Sequence, residues 1–121
     1  MANVLINATI YTGKEKVENA FIRFSEKVLA VGKMSDYKKE STDQEQDAAG
    51  NLVLPGFIDV HSHGGYSYDN MDSSADEINQ MLQKMYKEGI TSYFATTMTQ
   101  SYDAIDKALI AINETASKNP V

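Results

Sequence analysis

The feature that most constrains this chain is a switch of hydrophobic rhythm after Asn51. Phe57-Ile58-Asp59-Val60 reads as a strand buried on both faces, as in parallel sheets covered by helices. A helical stripe follows, because Ile78, Met81, Leu82, Met85 and Tyr86 recur at i, i+3, i+4, i+7 and i+8 behind a Ser74 and Glu77 capping box. That spacing predicts a helix from Ala75 to Glu88. Gly89 is expected as its left-handed cap, with Lys84 and Lys87 near the negative end of the helix dipole. Ile90 to Met98 is β-branched and aromatic, hence a second strand. A second helix is expected behind Ser101, with Asp103 in its first turn and Ile105, Ala108, Leu109, Ile112 and Ala116 as its apolar stripe, stopping at Lys118-Asn119-Pro120. Strand, helix, strand, helix makes a βαβα unit with a right-handed crossover.

The first half follows shorter periods. Val4 to Tyr11, Val17 to Phe24 and Val28 to Val31 read as strands, separated by Thr12-Gly13-Lys14 and Ser25-Glu26-Lys27, which predicts a small antiparallel meander. Ser35 to Asp47 is nearly devoid of apolar residues and reads as a solvated connection with at most a helical turn. The expected class is α/β, with the strand meander over residues 1–53 and βα units over 54–121. Two parallel strands leave open edges and two helices cover only part of a sheet. Further βα units or another chain are needed to cover the rest, and a homo-oligomer is expected.

A net charge of -6 over 121 residues argues against nucleic acid, whose affinity rests on clustered Lys and Arg, and against an acidic membrane surface. The N-terminal apolar run is far shorter than the roughly 20 residues a membrane span needs and lacks a cationic flank, so a cytoplasmic protein is expected. With no cysteine, a metal site must use nitrogen and oxygen donors.

The chain has two histidines, His61 and His63, and they stand at the end of the first buried strand. Residues two apart on a strand share a face, so both imidazoles project the same way and offer two nitrogens to one metal. By itself a His-x-His pair is more often an ordinary surface or core pair. Its position raises its standing, since α/β barrels place their chemistry at the C-terminal ends of strands. Asp59 shares that face and either orients a ligand histidine or satisfies nearby backbone and hydroxyl donors. Gly64-Gly65 suits a loop closing over a ligand or a plain tight turn. Tyr66, Tyr68, Asp69, Asn70 and Asp72 crowd this loop as candidate contacts to substrate or metal, against their ordinary role as surface-loop residues. Thr96, Thr97 and Thr99 at the end of the second strand either line the same cavity or are simply strand residues.

Leu54-Pro55-Gly56-Phe57-Ile58-Asp59-Val60-His61-Ser62-His63-Gly64-Gly65 resembles the first barrel strand of the amidohydrolase superfamily. Within it, Tyr66 to Met71 followed by Asp72, together with Glu88-Gly89-Ile90-Thr91-Ser92-Tyr93-Phe94-Ala95-Thr96-Thr97-Met98-Thr99, is similar to the N-acetylglucosamine-6-phosphate deacetylase family. The resemblance covers essentially the whole chain. It implies a (β/α)₈ barrel with a small β-sandwich built from both ends of the chain. It also implies a divalent metal, zinc or iron, at the barrel's C-terminal face, and hydrolysis of N-acetylglucosamine 6-phosphate to glucosamine 6-phosphate and acetate.

His61 and His63 carry over as metal ligands, although some members of the family lack the pair. The family pattern continues into a His-Leu-Glu-Gly-Pro segment, two more histidines and a catalytic aspartate, none of which occurs here. The chain is therefore expected to be an N-terminal fragment with an incomplete metal site, no catalytic residue of its own and no activity alone. The rival expectations are a dihydroorotase-like or deaminase-like amidohydrolase and a non-catalytic oligomerising module.

Overall fold

The computed structural model describes residues 1–119, and the chain divides into two compact units, Met1–Pro55 and a second beginning at Gly56. In the first unit β1 (Ala2–Tyr11), β2 (Lys16–Phe24) and β3 (Val28–Lys33) form the expected antiparallel meander. The second edge of β1 is shared by two parallel strands, β4 (Asp43–Asp47) along Ala2 to Ile6 and β5 (Leu52–Val53) along Thr9 and Ile10. Between Leu5 and Ala8 the β1–β2 register slips, and Asn7 there takes φ 54°, a left-handed conformation that asparagine tolerates better than most residues. Ala8, Ile10 and Ala20 form the unit's small core, flanked by Val17, Ile22, Ala48 and Val53.

The strand β4 corrects the expectation of a solvated connection. Its sequence, Asp-Gln-Glu-Gln-Asp, has no apolar residue, so hydrophobic patterning cannot reveal it. It is held instead by the β1 ladder and by Asp43, whose carboxylate accepts from Arg23 at 2.7 Å and from the Glu40 backbone N–H at 2.9 Å. Those bonds, the Glu40 amide first, keep the Asp43 pKa below its ordinary value. Beside it Tyr37 donates to Glu45, and burial followed by that bond pushes its pKa up to about 12.

A carboxylate with a lowered folded pKa contributes stability that is fully present above its unfolded value and disappears as pH falls through the folded value. The first unit is therefore expected to lose stability below about pH 4. Asp43→Asn is expected to lower stability at pH 7 and to flatten that acid limb. Denaturant midpoints at pH 7 and pH 3 check it, and a parallel acid limb in both proteins contradicts it.

In the second unit β6 (Phe57–Ser62) pairs in parallel with β9 (Ile90–Ala95), and α1 (Ala75–Lys87) lies between them in sequence. The hairpin β7 (Gly64–Gly65) and β8 (Tyr68–Asp69) interrupts the path from β6 to α1, and α2 (Tyr102–Lys118) follows β9. The helix starts are as expected. Ser74 accepts from the Glu77 N–H while Glu77 accepts from the Ser74 N–H, and Ser101 caps α2 by accepting from Ala104. Gly89 at φ 92° takes the left-handed position after α1.

Ile78, Met81 and Met85 are buried from α1 against Tyr68, Ile90, Tyr93, Ala111 and Ile112, each worth about 2 kcal/mol relative to exposure. Tyr86, expected on this stripe, is exposed, as is Leu109 of α2. The strand β9 ends at Ala95, short of Met98, and Pro120 of the expected helix stop lies outside the described residues.

The expectation that Phe57 to Val60 is buried on both faces is not met. Phe57, Ile58 and Val60 are 57%, 61% and 71% exposed. The reason is topological: among the described residues β6 has one hydrogen-bonded neighbour, β9, so its other edge carries no strand that would extend the cover.

Candidate functional site

The ladder between β6 and β9 is irregular where the histidines sit. Asp59 faces Tyr93 and Ser62 faces Ala95, so β6 has one residue more than β9 over this stretch, a bulge containing Val60 and His61. Bulges bend a strand and re-aim its side chains. Here the two imidazoles meet edge to face at 82°, with the Nε2 atoms 3.3 Å apart.

The other nitrogen of His63, Nδ1, lies 3.2 Å from the Thr96 carbonyl oxygen. A carbonyl only accepts, so this contact assigns the proton to Nδ1 and leaves the Nε2 lone pair directed at His61. Two nitrogens bound to a tetrahedral zinc at 2.0 to 2.1 Å stand about 3.3 Å apart. The pair therefore fits two corners of such a site. Among the described residues no third His, Asp or Glu joins it to complete a ligand cluster.

Asp59 does not reach an imidazole. Its Oδ1 accepts from the His61 backbone N–H at 3.2 Å, so it satisfies a backbone donor at the bulge. Gly64-Gly65 forms a hairpin whose two turn residues, Tyr66 and Ser67, have φ 56° and 68°. Such a turn matches the right-handed twist of its strands but is usually built from Asn and Gly, and each L-residue here carries roughly 1–2 kcal/mol of strain. The hairpin is held against α1. Tyr66 donates to Glu88, a bond that raises the tyrosine pKa, and Lys84 stands 5.5 Å and 5.1 Å from the Tyr66 and Tyr68 ring centres.

The other loop candidates separate into different roles. Tyr68 packs into the α1 core and its hydroxyl donates to Gln80. Asp69 accepts from the Met71 N–H. Asp69 and Asp72 line a cavity of about 300 Å³ with Met71, Met98, Thr99 and Gln100. Thr96 touches His63 through its backbone, while its hydroxyl accepts from the Ser62 N–H. Asn70 is fully buried. Tyr93, which the sequence marks only as an aromatic strand residue, shares hydrogen bonds with Asn70 and the Ser62 carbonyl.

Residues 52–120, more than half of the chain, match the Amidohydrolase family. The chain belongs to the amidohydrolase family. This amidohydrolase is 33% identical over 105 residues to the N-acetylglucosamine-6-phosphate deacetylase of Bacillus subtilis (strain 168), an alignment covering 87% of this chain and 26% of that protein. It is 37% identical over 65 residues to the N-acetylgalactosamine-6-phosphate deacetylase of Escherichia coli O157:H7, covering 54% of this chain and 17% of the relative. The crystal structure of the N-acetylglucosamine-6-phosphate deacetylase from Pasteurella multocida superimposes with a TM-score of 0.83 at 25% identity, over 98% of this chain and 31% of the other. The amidohydrolase chain thus spans about a quarter of the length of the first of these relatives. No helix among its described residues is long and apolar enough to cross a membrane.

Proposed function

We propose that this chain forms the N-terminal part of a metal-dependent deacetylase acting on N-acetylglucosamine 6-phosphate, with His61 and His63 as two of the metal's ligands. The observation that carries the reading is the 33% identity to a deacetylase of that specificity over 87% of the chain. In this reading residues 1–53 are strands of a β-sandwich, and residues 54–121 hold the first two βα units of a (β/α)₈ barrel. The parallel pairing of β6 with β9 around α1 supports the second assignment. The metal is zinc or iron, the substrate a small amino-sugar phosphate, and the compartment the cytoplasm. Assembly as a homo-oligomer is part of the same reading.

A divalent cation held by the pair would supply Lewis-acid polarisation of an acetamide carbonyl and lower the pKa of water. The chain's own residues prepare that point. His63 presents a bare Nε2 because Thr96 holds its Nδ1 proton, and the bulge brings the His61 nitrogen to the same place. Gly64 lets the chain turn away directly after His63: a Cβ there would lie 2.2 Å from the Tyr68 carbonyl oxygen, and its φ of 150° disfavours other residues. The carboxylate that passes the proton to the leaving amine is assigned to no residue of this chain.

Identity to the galactosamine relative favours N-acetylgalactosamine 6-phosphate as the second candidate substrate. Acetate release by the full-length protein, loaded with Zn²⁺ or Fe²⁺, is expected to be fastest from N-acetylglucosamine 6-phosphate, slower from the galactosamine isomer and absent from N-acetylglucosamine. Ring opening of dihydroorotate without acetate release from either sugar phosphate overturns the proposal. Residues 1–121 alone are expected to release no acetate, because a catalytic zinc usually needs three protein ligands and the described residues bring only two together.

A further inference from the structure

The side chain of Asn70 is 0% exposed, among the most deeply buried in the molecule. A primary amide in that position costs free energy unless its donors and acceptor are met. All of them are met at the end of the two parallel strands. Nδ2 lies 2.8 Å from the Ser62 carbonyl, 3.0 Å from the Tyr93 hydroxyl and 3.4 Å from the Thr96 carbonyl. The Tyr93 hydroxyl lies 3.2 Å from Asn70 Oδ1, and the Asn70 backbone N–H donates to the His63 carbonyl at 2.8 Å.

One assignment of protons satisfies this set. One amide proton goes to Ser62, the other is shared between the Tyr93 hydroxyl and the more distant Thr96 carbonyl, the tyrosine proton goes to Asn70 Oδ1, and every carbonyl accepts. Asn70 therefore bonds to the backbone on both sides of the bulge's end. It holds Ser62, between the two histidines, and it shares the Thr96 carbonyl with His63 Nδ1.

We propose that Asn70 and Tyr93 are positioning residues: a buried clamp that directs the Thr96 carbonyl at the end of β6, and so fixes the tautomer and aim of His63. The inference rests on the reading of His61 and His63 as metal ligands only for its consequence. The clamp itself is a statement about a histidine in the metal-free protein. Without it Thr96 stays tied to Ser62, whose carbonyl accepts from the Thr96 N–H at 2.8 Å and whose own N–H donates to the Thr96 hydroxyl, but the Thr96 carbonyl loses the donor that fixes its direction toward His63 Nδ1. The proton then redistributes to Nε2, which removes the lone pair a metal needs.

The test uses the full-length protein with three variants, Tyr93→Phe, Asn70→Asp and Asn70→Ala. Tyr93→Phe keeps the ring against the cluster of Ile78, Met81 and Met85 and removes only the hydroxyl, so it decides the matter if the Asn70 variants do not fold. Two quantities are read, the His63 tautomer in metal-free protein from long-range ¹H–¹⁵N correlation spectra and the affinity for Zn²⁺ by chelator competition. The native protein is expected to hold His63 with its proton on Nδ1. In folded variants both tautomers are expected, with Zn²⁺ binding weakened about 10-fold, the lower end of what losing an outer partner of a ligand costs. A simple loss of packing would lower the melting temperature without changing the tautomer.

His63 protonated on Nδ1 in every folded variant, as in the native protein, overturns the clamp. His61→Ala and His63→Ala variants that bind Zn²⁺ as tightly as the native protein overturn the ligand assignment instead. The tautomer measurement still decides the clamp in that case.

Discussion

Replacing either His61 or His63 with alanine is expected to cut kcat/KM of the full-length protein for N-acetylglucosamine 6-phosphate at least about 100-fold, with loss of bound metal. Losing an outer partner of a ligand already costs 10- to 100-fold, and these substitutions remove the ligand itself. The expectation follows from geometry. The two Nε2 atoms are 3.3 Å apart and belong to residues two apart on one strand, so neither can be replaced by a neighbour without undoing the bulge between Asp59 and Ser62. Either single variant leaves one nitrogen, too few to hold the ion at this strand end. Elemental analysis of the purified protein and steady-state kinetics measure the two effects separately. Unchanged metal content and unchanged kcat/KM in both variants remove the pair from the chemistry and move the metal to other ligands.

The largest expected effect on stability comes from Gly56→Ala, a single methyl group. A Cβ at this position falls 2.0 Å from Thr91 Oγ1, 2.2 Å from its Cγ2 and 2.6 Å from its Cβ. Turning the Thr91 side chain does not relieve the last contact, so the backbones must separate. They are tied immediately beyond, where the Phe57 N–H donates to the Gly89 carbonyl at 2.8 Å and β6 begins its ladder with β9. The cost is expected to be about 3 kcal/mol or more, the upper end for overpacking a close contact. Gly65→Ala makes the contrast. Its Cβ would meet only Met85 Cε, at 2.8 Å, the far end of a side chain with several rotatable bonds, and a smaller loss is expected. Urea unfolding of Gly56→Ala, Thr91→Gly and the double variant checks the mechanism. The double variant is expected to recover a large part of the loss, and strictly additive losses contradict a clash between these two residues.

The elements that were legible in the sequence are those specified by near neighbours. The start of α1 needs only Ser74 and Glu77, three residues apart, and its buried face needs only the spacing of Ile78, Met81 and Met85. The three strands of the meander were legible for the same reason, their turns and alternation lying within each hairpin. The strand β4 was not. Its five polar residues carry no pattern, and what makes them a strand is a partner more than thirty positions away along the chain together with the charge of Arg23. The turn at Tyr66 and Ser67 was equally hidden, because neither residue favours the left-handed region and only the surrounding hairpin imposes it.

In the candidate site, the histidine pair was visible because period two on a strand is a local rule. Asp59 shared that apparent face, but the bulge turned it to a backbone donor. Asn70 appeared only as one of several polar loop residues, and Tyr93 as an aromatic in a strand. Their connection spans 23 positions and exists only because β6 and β9 pair.

The amino-acid order alone determined the rhythm of strands and helices, the caps of both helices and two imidazoles two residues apart, since each depends on short-range periodicity and local hydrogen bonding. Tertiary structure decided that their nitrogens converge, that His63 carries its proton on Nδ1 and that a buried amide and a tyrosine hold it there. Those properties depend on distances between residues far apart in the chain, which are set only when the parallel strands and the helices pack.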